Sequence, residues 1–523
     1  MIRNLFSDLK LAFRTLKKAP GFTIIAVLTL ALGIGLNAAI FSLVNTIIFR
    51  PLPYAHADEI VQINRIDSSN PDDLPSFSYP DYLEYRDKID AFRNLAAVSY
   101  IMVSVGHEDA FEMNIGQIVS GNFFDVFNVH PVLGRLITPS DDVIEGNHPV
   151  VVLSYKYWQR KYDGDPAIVG SVLMVNGHAF TVIGVTPEDF AGALPAFESN
   201  LYVPMMQQAQ VFPIEGGLMN RADGWLDLVV GRLKPEMTVE QAQALADLAT
   251  VQMKDVDPKY ANEQAIIFKP MGMIDSPKDR PALYAIAAII MSMVGLVLLI
   301  VCANVANLFL AKSLTRRKEI AIQLALGSGR FRLVRQLLVE ALIVALAGGL
   351  LGTLIAAWSV YLFNALLPQL PFNISLNLEF ALDSRMLAYT CFASIGTGIV
   401  FGLFPALQTT KTDLLAALKS DSDSGDTFRG SKLRNVLVVS QVAISMVLLV
   451  GAGLFERSLF ASRSLDPGFE HENVLAVSMD LTMMRLDENT GAAFYEDSLD
   501  RVRELPGVES ACIDVGVPLG FLR

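Results

Sequence analysis

Charge is scarce in this chain. Only 18% of its 523 residues are charged, against about 25% in a soluble globular protein. The shortfall is uneven, because five stretches, 19–49, 281–311, 341–378, 386–410 and 435–455, carry no charge at all. Cysteine is scarcer: Cys302 and Cys391 lie inside charge-free stretches and Cys512 near the C-terminus, so no disulfide framework is indicated. The six histidines show no HExxH spacing and there is no CxxC, which leaves no recognisable metal site. No GxxxxGK[ST] loop occurs, so phosphate binding in the P-loop manner is excluded. Ser154 and His148 lack the surroundings of a nucleophile elbow. These absences point to a chain that is not an enzyme, needs no cofactor and has no nucleic-acid partner.

What is abundant is apolar length. A bilayer core of ~30 Å requires about 20 apolar residues as helix, and all five charge-free stretches meet that requirement. The first does not read as a cleaved signal peptide, because its apolar run is too long and ends at Phe49-Arg50-Pro51 without a small-residue cleavage site. The expected fold class is therefore a membrane protein, an α-helical transmembrane bundle of about five spans with a large mixed α+β extracytoplasmic domain.

Basic residues orient the spans, since Lys and Arg are retained on the cytoplasmic side. They gather before the first span (Arg3, Lys10, Arg14, Lys17, Lys18), between the second and third (Lys312, Arg316, Arg317, Lys318, Arg330, Arg332, Arg335) and after the fourth (Lys411, Lys419, Arg429, Lys432, Arg434). The 368–385 connection has only Arg385. This pattern places the N-terminus inside the inner (cytoplasmic) membrane and 51–280 outside it. That outer region holds 16 Lys/Arg against 32 Asp/Glu.

The expected organisation is a cytoplasmic amphipathic helix over 1–18, with Ile2, Leu5, Phe6, Leu9, Phe13 and Leu16 on one face. A transmembrane helix follows over 19–50, then the outer domain over 51–280. Transmembrane helices at 281–311, 336–367 and 386–408 make a permease region, 281–410. A flexible polar linker (411–432), a fifth transmembrane helix (433–456) and a second outer region (457–523) complete the chain. Within 51–280, strands are expected at Glu59–Ile66, Val150–Ser154, Ser171–Val175 and Ala179–Val185, with Asn176-Gly177 as a type I′ turn. Helices are expected at Pro80–Ile89 and Val239–Lys254. Asn37, Asn304 and Asn307 are placed to hydrogen-bond between spans, and Gly348, Gly349, Gly352, Gly396, Gly398 and Gly402 to let helices approach closely. The interiors of the spans carry no ionisable residue, which argues against an ion-coupled pump.

The connection Ser313-Leu314-Thr315-Arg316-Arg317-Lys318-Glu319-Ile320-Ala321-Ile322-Gln323-Leu324-Ala325-Leu326-Gly327-Ser328 is the most informative stretch. It reads as a short helix with a basic first turn, Arg316 to Lys318, an apolar stripe of Ile320, Ala321 and Leu324, and Gly327 at the C-terminal cap. Together with Gln336-Leu337-Leu338-Val339-Glu340-Ala341 it resembles the FtsX-like permease domain of MacB-type ABC transporters. Ala19-Pro20-Gly21-Phe22-Thr23, Ser120-Gly121-Asn122-Phe123-Phe124, Leu133-Gly134-Arg135, Leu153-Ser154-Tyr155-Lys156-Tyr157-Trp158, Val182-Ile183-Gly184-Val185 and Pro405-Ala406 extend the resemblance over about residues 1–420.

The resemblance implies a permease subunit that dimerises, as homo- or hetero-dimer, in the lipid bilayer. A separate ABC ATPase would dock on the inner connection, and a periplasmic adaptor is a further candidate partner. ATP-driven motion would reach the outer domain by mechanotransmission and serve antibiotic, peptide or lipoprotein-related export. Arg316, Arg317, Lys318, Glu319, Ile320, Leu324 and Gly327 would then couple to the ATPase. The alternative is a regulatory or scaffold protein acting on an extracytoplasmic partner such as a cell-wall hydrolase. Residues 429–475 restart the pattern of basic flank, glycine-containing span and outer segment, as in duplicated permeases. A helix at Gly491–Leu505 and the start of a strand are expected to follow, in a second half cut short.

Overall fold

A computed structural model of the protein describes residues 2–50, 54, 56–67, 75–107, 110–194, 198–214, 216–221, 224–254, 260, 262–270, 279–315, 330–366, 383–409, 427–463, 474–475, 477 and 488–514. The chain divides into two compact units. One comprises Met1–Arg50, Gly272–Pro368 and Leu378–Leu465; the other comprises Pro51–Met271, Gln369–Asn377 and Asp466–Arg523. The helices, in chain order, are α1 (Ile2–Lys18) and α2 (Pro20–Val44), which ends in a π-helical turn, Asn45–Phe49. The second unit contributes α3 (Tyr79–Lys88), α4 (Phe123–Phe127), α5 (Tyr155–Tyr162), α6 (Gln208–Val211) and α7 (Val239–Lys254). The first unit resumes with α8 (Arg280–Thr315), α9 (Arg330–Leu366), α10 (Ser384–Thr409) and α11 (Thr427–Arg463), and α12 (Glu488–Arg503) follows in the second.

Among the described residues, five segments are long and apolar enough to cross a membrane: Pro20–Phe49, Arg280–Lys312, Phe331–Leu366, Ser384–Leu403 and Val438–Ser462. Their helices overrun the charge-free runs, α9 beginning at Arg330 and α11 at Thr427. Lys and Arg are good helix formers, so the helix continues where the apolar run stops. Residues 427–432, expected in a flexible linker, are accordingly helical.

The membrane helices meet through small residues. Ala341, Ala345 and Gly349 on α9 face Gly402, Gly398 and Ser394 on α10, each set spaced by four. Such small-xxx-small rows allow close backbone approach, where packing rather than the hydrophobic effect holds helices together. On α2, a Cβ at Gly35 would stand 2.9 Å from the Gly352 carbonyl of α9, and one at Gly348 would stand 2.6 Å from Leu30 Cβ. Gly396, also expected in a seam, faces open space.

The outer unit is built on a ten-stranded mixed sheet. Its strands are β1 (Ile60–Asp67), β2 (Phe92–His107), β3 (Ala110–Val119), β4 (Leu133–Gly134), β5 (Val150–Leu153), β6 (Val172–Val175), β7 (His178–Val185), β8 (Leu201–Pro204), β9 (Leu228–Leu233) and β10 (Glu263–Phe268). The order is β10-β1-β9-β2-β3-β8-β5-β7-β4, with β6 pairing β2 and β7. The β3–β8 and β5–β7 pairs are parallel and the rest antiparallel. Successive residues point to opposite faces, and here both faces are covered. Val61, Leu95, Val151, Val203 and Val229 join one core with α3 and α7. Ile60, Ala96, Val152, Tyr202 and Val230 join another around Phe123, Phe124, Phe127 and Phe190.

The Asn176-Gly177 turn has φ of 47° and 72°, as a type I′ hairpin requires. Asn176 also accepts from the Ser104 N–H at 2.7 Å and donates to the Val211 carbonyl at 2.8 Å, which anchors the turn. Thr238 and Gln241 form a reciprocal cap on α7. Six strands, β2, β3, β4, β8, β9 and β10, are not legible in the sequence; β8 and β9 are buried at every position, which removes the alternation of polar and apolar residues. The start of a strand expected after α12 is not seen in residues 508–514, and residues 515–523 lie outside the described residues.

Candidate functional site

The seven coupling residues, Arg316, Arg317, Lys318, Glu319, Ile320, Leu324 and Gly327, lie outside the described residues. What the structure does place are the two helix ends that carry their connection, the last turn of α8 and the first turns of α9. Two ion pairs bind these ends into the bundle. Lys312 of α8 pairs with Glu340 of α9, and Glu340 is 2% exposed. The Lys312 ammonium also sits 4.2 Å from the centre of the Phe22 ring on α2, a cation–π contact. Phe22 packs edge-on against Phe309 at 5.0 Å, and Phe309 in turn lies 5.5 Å from Phe401 of α10.

The second pair joins Asp8 of α1 to Arg335 of α9 at 2.7 Å, with Asp8 3% exposed. Asp8, Ala12 and Leu16, four residues apart, form the face of α1 that is buried, whereas Phe13 is exposed. Of the apolar face anticipated from sequence, the side chains of Ile2, Leu5 and Phe6 lie outside the description, and Leu9 is half-buried. Leu16 belongs to both faces, and an aspartate sits on the bundle side because an arginine meets it there.

Higher in the bundle, Asn37 is fully buried and donates to its own Gly33 carbonyl and to the Val294 carbonyl of α8, both at 2.9 Å. The Tyr389 hydroxyl of α10 donates back to it at 3.5 Å. Such bonds average roughly 0.6 kcal/mol, so Asn37 acts as structural glue. At the opposite end of the bundle, Asn45 donates to Asp383 at 2.7 Å, and Asp383 caps α10 by accepting from the Met386 N–H at 2.7 Å. Arg385 reaches the Phe49 carbonyl at 2.7 Å.

In the outer unit the ionisable residues form structural networks. Arg65 lies 3.1 Å from Asp81 and 3.0 Å from Glu263. Asp81 also accepts from the Tyr260 hydroxyl and from the Ser78 N–H that opens α3. Ser154 caps α5 by accepting from the Tyr157 N–H, and His148 is exposed on a separate loop. Among the described residues no group of His, Cys, Asp and Glu is arranged to hold a metal.

Two adjacent aspartates titrate in opposite directions. Burial pushes the Asp141 carboxyl up, but the Arg135 guanidinium and the Thr138 N–H and hydroxyl outweigh it and leave it below the ordinary value. Asp142 is raised by burial, despite accepting from the Met206 and Gly121 N–H groups. The Asp141 contribution to stability is therefore present above pH ~4 and lost as pH falls through its depressed pKa. The Asp142 contribution runs the other way, lost as pH rises through its raised pKa. Asp141→Ala should cost about 1–2 kcal/mol at neutral pH, reduced by the half-exposed Arg135, and should flatten the acid limb. Thermal unfolding between pH 2 and 7, followed by tryptophan fluorescence, tests this; an unchanged acid limb would refute it.

In the sequence Lys312 and Arg335 read as topology-setting charges and Glu340 only as part of the permease motif, and nothing there pairs Asp8 or Glu340 with them. The available signal was two acidic residues in flanks otherwise dominated by Lys and Arg.

Comparison with known proteins gives the family. Residues 23–248 match the family model of the MacB-like periplasmic core domain, and residues 291–414 match that of the FtsX-like permease C-terminal region. The macrolide export ATP-binding/permease protein MacB of Campylobacter jejuni is 24% identical over 405 residues, covering 76% of this chain and 57% of that protein. MacB of Rhodopseudomonas palustris is 27% identical over 307 residues, covering 58% of this chain and 41% of its own length. The chain thus spans about half the length of the curated relatives it matches. Among solved structures, the periplasmic region of MacB from Actinobacillus actinomycetemcomitans aligns with 41% of this chain and 89% of its own at 14% identity, with a TM-score of 0.31. This chain is a membrane protein of the MacB-like, FtsX-like ABC transporter permease family.

Proposed function

We propose that the chain is the permease subunit of an ABC transporter in the cytoplasmic membrane, with its N-terminus inside. It would convert ATP hydrolysis by an ABC ATPase outside these 523 residues into movement of the outer domain. Export of an antibiotic, peptide or lipoprotein-related substrate follows by mechanotransmission rather than by conduction through the spans. The relatives are named as export ATP-binding/permease proteins, and the five charge-free runs place no Lys, Arg, Asp or Glu at mid-span, which suits a transmitter better than an ion-coupled carrier. The observation that carries the reading is the bracing of α8 and α9 by buried ion pairs on either side of the 316–329 connection. In this reading Arg316, Arg317, Lys318, Glu319, Ile320, Leu324 and Gly327 meet the ATPase. A second permease subunit, identical or homologous, completes the complex, and a periplasmic adaptor meets the outer domain.

The test is co-purification with the ABC ATPases of the same organism, comparing wild type with Arg316→Glu/Arg317→Glu/Glu319→Lys. Like-charge contacts at an interface cost several kcal/mol, so the variant should retain at least tenfold less ATPase. Absence of any ATPase from the wild type would sink the transporter reading.

A further inference from the structure

We infer that Asp8, Lys312, Arg335 and Glu340 are the positioning residues of the coupling connection, an inference that rests on the transporter reading above. Lys312 stands three residues before the end of α8, and Arg335 five residues after the start of α9. At 1.5 Å per residue these are about 5 and 8 Å from the ends of the connection. A force applied to 316–329 enters the bundle through those two helix ends. Left to apolar contacts alone, α8 and α9 could slide or splay, because lipid tails and apolar side chains are nearly equivalent neighbours.

The ion pairs oppose that motion. Lys312–Glu340 locks α8 to α9 at one height, and the Lys312–Phe22 contact adds α2. Asp8–Arg335 fastens α1 to the same segment of α9. Separating either pair would leave a buried charge uncompensated, so the four helices move as one body. On this inference α1 is a working part of the coupling device as well as an interfacial anchor. Its Asp8-Ala12-Leu16 face belongs to the bundle.

Two measurements on the full chain in lipid nanodiscs test this. The first is hydrogen–deuterium exchange without ATPase. Asp8→Asn should speed exchange of residues 2–18 about tenfold, and Glu340→Gln should do the same for 306–315 and 330–340. The reversed pair Lys312→Glu/Glu340→Lys should restore protection to within about threefold of wild type. Unchanged exchange in Asp8→Asn and Glu340→Gln would overturn the fastening.

The second uses the complex with its co-purified ATPase and compares the ATP-dependent change in exchange of the outer domain. Compared at equal amounts of bound ATPase, Glu340→Gln should transmit less than a tenth of the outer-domain response per ATP hydrolysed, and the reversed pair should recover at least half. A full response in Glu340→Gln would reduce the pair to a structural anchor and overturn the positioning role. A misfolded Glu340→Gln would be recognised by aggregation on size-exclusion chromatography, and the reversed pair and Asp8→Asn would then decide the question. If the wild type binds no ATPase, the transporter reading fails and the coupling role falls with it, while the first measurement still settles the fastening.

Discussion

Arg65→Met should destabilise the outer domain by about 3–5 kcal/mol, the cost of removing the nearer counter-charge from buried Asp81 and Glu263, with Arg221 left 3.8 Å from Asp81. Arg65 is 4% exposed and Asp81 is fully buried. Beyond its two ion pairs, the guanidinium donates to the Ser76 carbonyl and lies 4.7 Å from the centre of the Phe77 ring. Methionine replaces much of the volume and the contact with Phe77, so the loss reports on charge rather than on a cavity. Total stabilities of domains are about 5–15 kcal/mol, and a loss of this size puts the folded state at risk. Urea unfolding read by fluorescence measures it in a Trp358→Phe background, where the remaining tryptophans, Trp158 and Trp225, both report on the outer domain. Arg65→Met/Glu263→Met should recover part of the loss by removing one stranded carboxylate. A loss below about 1 kcal/mol would mean that the network is solvated and structurally idle.

Gly352→Leu and, separately, Gly402→Leu should open the helix seams. A Cβ at Gly352 would stand 3.0 Å from the Gly35 nitrogen and 3.1 Å from the Ala31 carbonyl, both backbone atoms that cannot rotate aside. At Gly402 it would meet Ala341 Cβ at 2.6 Å. Overpacking costs about 1–3 kcal/mol, and a full leucine against backbone belongs at the upper end. Melting of the detergent-solubilised protein should fall by about 5 °C or more. The controls are Gly396→Leu and Gly451→Leu, where a Cβ meets nothing within 4 Å; these should leave melting nearly unchanged. Equal effects at all four positions would show that helix propensity or lipid contact, not the seam, sets the stability.

Much of the architecture was legible residue by residue. The apolar runs announced the spans, because a helix that satisfies its own backbone is one of the few structures lipid tolerates. Asn176-Gly177 announced its hairpin through positive φ. Gly349, Gly352, Gly398 and Gly402 were recognised as sites of close approach, but Gly396 was recognised equally and packs against nothing. A glycine's partner lies on another helix, and its own sequence does not name that helix. The sheet was half legible for a related reason. Strands covered on both faces, such as Leu228–Leu233, lose the alternation that marks a strand.

The candidate site shows the same division. The basic cluster Arg316–Lys318 and Gly327, expected as a first turn and a cap, stand out in sequence because they are local features. Asp8 and Glu340 do not, because an acidic residue gains meaning only from the cation that folding brings beside it. Asp8 finds Arg335 across 327 positions of chain. The membrane class and the five apolar helices among the described residues were therefore legible in the sequence alone, since each depends on the partition of single segments between lipid and water. Which helices touch, which charges are buried, and that α1 is tied to α9 were decided only by tertiary structure, since these depend on pairs of residues far apart in the chain.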